Sequence, residues 1–193
     1  MDATRLHLLA APWWVNLAIL EPAVAYLVWR RRGLAMGRGR LIVLAAWALA
    51  FAVVEAAVVV YLRGIYSVQS GLTATRADIA RLSMHMDQPL AALPVDLVTI
   101  ETWRETATMV MLAGVAWLAA GTWRERAAAW LWTFAIWDVG YYAGLWLAIG
   151  WPSSPLAPDV LFLIPVPWVS QVWFPILVSG LTVAVIARLS IRR

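Results

Sequence analysis

The sequence predicts an all-α fold: a polytopic membrane bundle of five transmembrane helices, forming one integral membrane domain over residues 1–193. Three observations predict it. Hydrophobic residues make up 63% of the chain and charged residues 13%, with a mean hydropathy of +0.76; a soluble domain has about 45–50% apolar and about 25% charged residues. Five segments approach or exceed the roughly 20 apolar residues that cross a bilayer. The arginines cluster at the ends of those segments in a one-sided pattern.

The first span is expected over Leu8–Trp29, the second over Leu41–Leu62 and the third over Leu97–Ala120. The fourth is expected over Ala127–Ile149 and the fifth over Val169–Leu189, with Pro175 kinking it. At about 1.5 Å per helical residue, each is long enough for a hydrocarbon core of about 30 Å. Arg30, Arg31, Arg32, Arg38 and Arg40 lie between spans one and two, Arg124 and Arg126 between three and four, and Arg188, Arg192 and Arg193 after five. The positive-inside rule makes that side cytoplasmic, which puts the N-terminus outside and the C-terminus inside an inner membrane. Span one has no basic n-region ahead of it and no small-residue cleavage site after it, so it reads as a retained anchor.

Between spans two and three, Thr75–Arg76–Ala77–Asp78 has the form of a helix start. Ile79, Leu82 and Met86 then form one apolar stripe, which predicts an interfacial helix over Arg76–Met86, ended by Pro89 and Pro94. The segment Trp151–Trp168 contains Pro152, Pro155, Pro158, Pro165 and Pro167 around an apolar centre, and is expected to dip into the bilayer edge and return. Within it, Pro158–Asp159 reads as the start of a short helix.

Composition excludes several chemistries. There is no cysteine, so disulfides, thiolate metal sites and iron–sulfur clusters are absent. All 15 basic residues are arginine, which excludes a retinal or PLP Schiff base. The two histidines, His7 and His85, fall outside the apolar runs, so no buried bis-histidine haem is expected. The net charge of +4 belongs to the membrane flanks and does not imply nucleic acid.

Charges inside the spans are the informative residues, because each costs about 2.5–3.5 kcal/mol on insertion scales and normally faces the bundle interior. Glu21 lies in span one, Glu55 in span two and Asp138 in span four, followed by Tyr141 and Tyr142. In span three Glu101, Arg104, Glu105 and Thr108 fall at i, i+3, i+4 and i+7, on one face. Counting from the span ends puts Glu55, Glu105 and Asp138 roughly 10–15 Å below the outer boundary, in the outer half of the membrane, and Glu21 roughly 20 Å below it.

These positions predict an acidic intramembrane pocket that binds or acts on a membrane-soluble ligand by carboxylate acid–base or cation-assisted chemistry. Glu55, Glu105 and Asp138 are the candidate catalytic groups. Arg104, Glu101, Glu21, Tyr141 and Trp137 are the candidate ligand-binding residues, and a divalent cation is a candidate cofactor of unknown identity. A Glu55–Arg104 bridge that merely pairs helices is the structural alternative. A proton- or cation-coupled carrier or channel, acting as an oligomer, is a second reading, and an assembly subunit of a membrane complex is a third. The partners implied are the lipid bilayer and a lipophilic ligand. Gly140 and Gly144 form a G-x-x-x-G in span four that marks a close helix contact. The run Glu101-x-x-Arg104–Glu105 is similar to the glutamate–arginine motif of intramembrane CAAX-type proteases, but that family's paired glutamates and downstream histidines are missing.

Overall fold

A computed structural model describes residues 10–69, 71–73, 75–83 and 95–191. The fold is mostly helical, with a small β-hairpin set into it. A 3-10 stretch, Trp13–Leu20, runs directly into α1, Glu21–Trp29. Then come α2 (Arg38–Gln69), α3 (Arg76–Ser83), α4 (Val95–Ala119) and α5 (Trp123–Ile149). The antiparallel strands β1 (Pro158–Phe162) and β2 (Trp168–Gln171) follow, and α6 (Trp173–Ile191) closes the chain. By length and composition, α2 and α6 are the two helices apolar enough to cross a membrane among the described residues. Helices α4 and α5, at 25 and 27 residues, are longer than α6 but carry internal charges.

Local signals account for most boundaries. Pro22 sits in the first turn of α1, where its missing N–H is not needed. Thr122 caps α5 by accepting from the Glu125 N–H at 3.3 Å, and Gly150, at φ 73°, ends that helix in the left-handed conformation. Thr75 and Asp78 cap α3 reciprocally: the Asp78 N–H donates to Thr75 Oγ1 at 3.2 Å and the Thr75 hydroxyl to Asp78 Oδ2 at 2.6 Å. The expected Arg76–Met86 helix is described as far as Ser83; its remainder lies outside the described residues, as do His7, His85, Pro89 and Pro94.

Three elements depart from the sequence expectation. Span one begins as a 3-10 helix and not as an α-helix. Helix α2 does not stop at Leu62 but runs to Gln69, where the Leu72 N–H bonds to Ser67 O and the Gly71 N–H to Val68 O, both at 3.0 Å. With Gly71 at φ 76° this is a glycine-terminated stop, so the loss of hydropathy after Leu62 marked no helix end. The proline-rich segment forms the β1–β2 hairpin in place of a simple dip, and Asp159 lies on a strand, not at a helix start. Val160, Phe162, Trp168 and Val169 favour strands, and the surrounding prolines forbid helix.

The helices pack around two interior regions. At one end, Trp29, Leu34, Met36, Leu44, Trp132 and Ile186 form an apolar core. There the Arg124 guanidinium donates to the carbonyls of Trp29 (3.2 Å) and Gly33 (2.6 Å), and the Leu34 N–H bonds to Leu189 O at 3.2 Å. Large apolar side chains face outward on α1, α2, α4, α5 and α6, among them Val28, Ile42, Val53, Leu118, Leu147 and Leu181. The tightest helix pair is α2 with α5. A β-carbon added at Gly140 would fall 2.9 Å from Ala52 Cβ and 3.1 Å from Leu49 Cδ2, and one at Gly144 would fall 3.0 Å from Ala56 Cβ. The G-x-x-x-G therefore meets an alanine ridge.

Gly140→Leu is expected to lose about 1–3 kcal/mol by overpacking this seam, read as an earlier thermal unfolding transition in detergent. Gly180→Ala, which enters open space in α6, is expected to leave that transition unchanged or raise it.

Candidate functional site

The close α2–α5 seam carries polar residues at its edge. Glu55 lies between Ala52 and Ala56 on α2, and Asp138, Tyr141 and Tyr142 flank Gly140 on α5. Together with α4 and β1 they enclose a cavity of about 70 Å³ lined by Glu55, Glu101, Arg104, Glu105, Asp138 and Asp159, with Thr108, Trp137, Tyr141, Tyr142 and Phe162 completing the wall. That volume admits a few waters or one small polar group.

Arg104 organises one side. Its guanidinium reaches across from α4 to Glu55 on α2, and grips Glu101 one turn back on α4 with two donors, Nε at 2.9 Å from Oε2. The Thr108 hydroxyl donates to the other Glu55 oxygen at 3.4 Å. The helix-pairing bridge that the sequence offered as an alternative is thus present, on the wall of the cavity. The opposite side has carboxyls held by neutral donors. Glu105 accepts the Leu163 N–H at 2.8 Å, just past β1. Asp138, buried on α5, accepts the Ser179 hydroxyl of α6 at 2.7 Å. Asp159 accepts the Tyr142 hydroxyl at 2.9 Å. Neither Glu105 nor Asp138 has an ion pair among the described residues.

Asp159 is the member on the hairpin, and burial raises its carboxyl to about 6, against the pull of the Arg63 guanidinium, the Tyr142 hydroxyl and the Val160 N–H. Arg63 is buried and stacks on Trp151, 4.3 Å from the ring centroid. Arg63 falls one residue past the span expected to end at Leu62 and so lies outside the candidate residues read from the sequence. The spacing was present, since Glu55, Val59 and Arg63 recur at i, i+4 and i+8, but Gly64 directly follows Arg63 and masks the continuation of the helix.

The structure brings together Glu55, Glu101, Arg104, Glu105, Asp138, Trp137 and Tyr141 on one cavity. It does not bring Glu21 there. Glu21 lies between α1 and α6, where the Thr182 hydroxyl donates to it and its second oxygen is buried without a partner among the described residues. Its partner Thr182 lies on α6 one turn beyond Ser179, which holds Asp138. Among the described residues no group of three or more His, Asp or Glu side chains is disposed to hold a metal ion. Comparison with protein-family models, curated proteins and solved structures finds no match for this chain.

With all five carboxyls ionised against Arg104 and Arg63, the site would hold a net charge of −3, which a low dielectric strongly opposes. Protons or a bound cation must neutralise the excess.

Arg104→Ala, which strands Glu55 and Glu101, is expected to cost more than the about 1 kcal/mol of a surface pair and to approach the about 3–5 kcal/mol of a broken buried pair. Adding Glu55→Gln should recover part of that loss in a double-mutant cycle. Asp159 predicts a pH effect of definite sign. Between about pH 4 and pH 6 its native carboxyl keeps a proton that the unfolded chain has released, so its contribution to stability falls as pH rises through that window. Thermal unfolding of Asp159→Asn should show a flatter slope there than the parent chain.

Proposed function

We propose that this chain is a multi-pass inner-membrane protein, crossing five times with its N-terminus outside and its C-terminus cytoplasmic, whose acidic cavity takes the polar end of a membrane-soluble ligand. Glu105 and Asp138 are the groups that exchange protons with that ligand, Glu55 and Glu101 set the position of Arg104, and Trp137 and Tyr141 line its seat. The observation that carries the reading is that carboxyls from α2, α4, α5 and β1 line one cavity.

Several features support the membrane topology. Outward-facing apolar side chains on all five long segments would form a patch far beyond the few hundred Å² that soluble monomers expose. A 3-10 helix rises about 2.0 Å per residue, so Trp13–Trp29 reaches roughly 30 Å despite its 17 residues. The charges of α4 and α5 that lower their hydropathy line the cavity, cluster near Arg124 at a helix end or, as Asp96, stand in a first turn. The contacts of Arg124 with Trp29 and Gly33, and of Leu34 with Leu189, gather the arginine-bearing ends at one pole, which supports a common cytoplasmic side. A carrier would call for polar groups continuing toward that pole, whereas the interior there is the apolar core around Leu34, Met36 and Trp132. The ligand-site reading is therefore preferred.

Two experiments test the proposal. The chain has no cysteine, so single cysteines report topology cleanly. A membrane-impermeant maleimide should label Ser153→Cys on intact cells and Gly121→Cys only after lysis; the opposite pattern overturns the orientation. Solvent extraction and mass spectrometry of purified protein should release an amphiphile from the parent chain. About tenfold less, equal to about 1.4 kcal/mol, is expected from Glu105→Gln and Asp138→Asn proteins that elute normally. Equal recovery from all three overturns the ligand site.

A further inference from the structure

One pole of the molecule carries charge that neither the cavity nor the core uses. Arg30 and Arg31 follow α1, Arg38 and Arg40 open α2, and all four are exposed. None of the four has an ion pair among the described residues. Arg188, exposed in the last turn of α6, adjoins Leu189, whose carbonyl accepts the Leu34 N–H of the α1–α2 loop. Glu125 is the only acid within residues 26–46, 114–134 and 183–191. The charge of this pole is left for a partner outside the chain.

Insertion in one sense requires only that arginines lie on one side. Here the folded chain also fixes where they stand. Leu34 and Met36, each 1% exposed, plug the α1–α2 loop into the core, and Gly33 turns it at φ 61°. The Arg124 guanidinium braces the same loop at the carbonyls of Trp29 and Gly33. A docked loop has less freedom to lose on binding an anion than a free one.

The neighbours of these arginines show what kind of anion fits. Leu27 and Val28, 56% and 65% exposed, precede Arg30, and Ile42 and Val43, 67% and 68% exposed, follow Arg40. Each arginine pair therefore stands at the rim of an outward apolar strip, the order in which a phosphate joined to an acyl chain presents itself. Trp117 and Trp123, exposed and edge-to-face at 5.0 Å, mark a headgroup level at the same pole, with the Arg126 guanidinium 3.7 Å from the Trp117 ring centroid. A free phosphate or a nucleic acid would meet the charge and leave the apolar strips unused.

We propose that Arg30 with Arg31, and Arg38 with Arg40, hold the phosphates of anionic phospholipids whose chains lie along α1 and α2. Guanidinium forks match phosphate oxygens, and basic clusters at the end of a membrane helix attract anionic lipids. The proposal rests on the membrane reading above and is independent of the acidic cavity. A zwitterionic lipid, which carries its own cation, is the weaker partner.

Lipid retention tests it. The full chain in neutral detergent is mixed with equal amounts of phosphatidylglycerol and phosphatidylcholine, repurified, and its bound lipids counted by mass spectrometry. Phosphatidylglycerol should exceed phosphatidylcholine about tenfold at low salt, equal to about 1.4 kcal/mol. The excess should fall towards parity in about 1 M salt, where the screening length shortens to about 3 Å. Arg30→Gln with Arg31→Gln, and Arg38→Gln with Arg40→Gln, should each cut the excess about threefold, as separate seats contribute additively; all four together should remove it. Replacing all four with Lys, which keeps the charge that insertion needs, should preserve most of it. Arg76→Gln, near the other end of α5, should change nothing. Parity in the parent chain, an excess indifferent to salt, or an excess surviving all four Gln replacements in protein that elutes normally overturns the proposal. Displacement of the lipid by glycerol 3-phosphate assigns the surface to a free phosphate ester and also overturns it. Flotation with pure phosphatidylcholine vesicles separates the two readings: a chain that floats without a phosphatidylglycerol excess loses this proposal alone, and one that does not float loses the membrane reading with it.

Discussion

The close approach of α2 and α5 is the constraint on which the rest of this structure depends. Helices in lipid gain little from excluding water, so their association relies on van der Waals contact, and contact is greatest where small residues let backbones meet. Gly140 and Gly144 against Ala52 and Ala56 supply that contact. Glu55 sits inside the alanine ridge and Asp138 and Tyr141 beside the glycines, so the distance between the acids of the two helices is set by apolar glycine–alanine contacts. An apolar interface thereby positions a polar site, and widening the seam by one methyl group would move both walls of the cavity.

Electrostatics then divides the acids into two kinds. Those that Arg104 grips are compensated by a full charge, and their role is bound up with docking α4 onto α2. Those held by the Leu163 N–H and the Ser179 hydroxyl accept from neutral donors and have no ion pair among the described residues; a neutral donor holds a carboxylate less strongly than a guanidinium does. An ionised carboxylate in such surroundings is expensive, so Glu105 and Asp138 respond most to a proton or a cation entering the cavity. The division follows from the reach of one side chain: Arg104 can serve its own helix and α2, but neither Asp138 on α5 nor the far side of Glu105.

Much of this was legible in the sequence, and the parts that were not share a cause. Glu101, Arg104, Glu105 and Thr108 declare a common face by spacing alone, and the G-x-x-x-G of α5 announces a close neighbour without saying which. Both are local patterns. Arg63 was obscured because hydropathy fades after Leu62 while the helix continues to the glycine stop at Gly71; a solvent-transfer signal was read as a backbone signal. Asp159 was obscured because its strand exists only by pairing with Trp168–Gln171 beyond a proline-rich connection, and such pairing leaves no trace in the residues next to Pro158. Glu21 misled in the opposite direction: depth along a helix is countable from the sequence, but azimuth around the bundle depends on which helices become neighbours.

The hairpin gives the site a property that a bundle of helices alone would lack. It closes the cavity with backbone as well as side chains, and it does so through the same lone pairs a ligand would use. The Leu163 N–H occupies one oxygen of Glu105, and Asp159 brings its own carboxyl to Tyr142. At its other edge the hairpin is tied down independently, by paired backbone bonds between Ala11 and Val169 at 2.8 Å. A proton arriving at Glu105 weakens it as the acceptor of the Leu163 N–H at the near edge while the far edge stays anchored. By linkage, whatever weakens the near-edge contact must in turn change the affinity of the cavity for that proton. Under the proposed reading, occupancy at Glu105 and the seating of the hairpin against it would be linked through a carboxylate and the peptide group that leans on it.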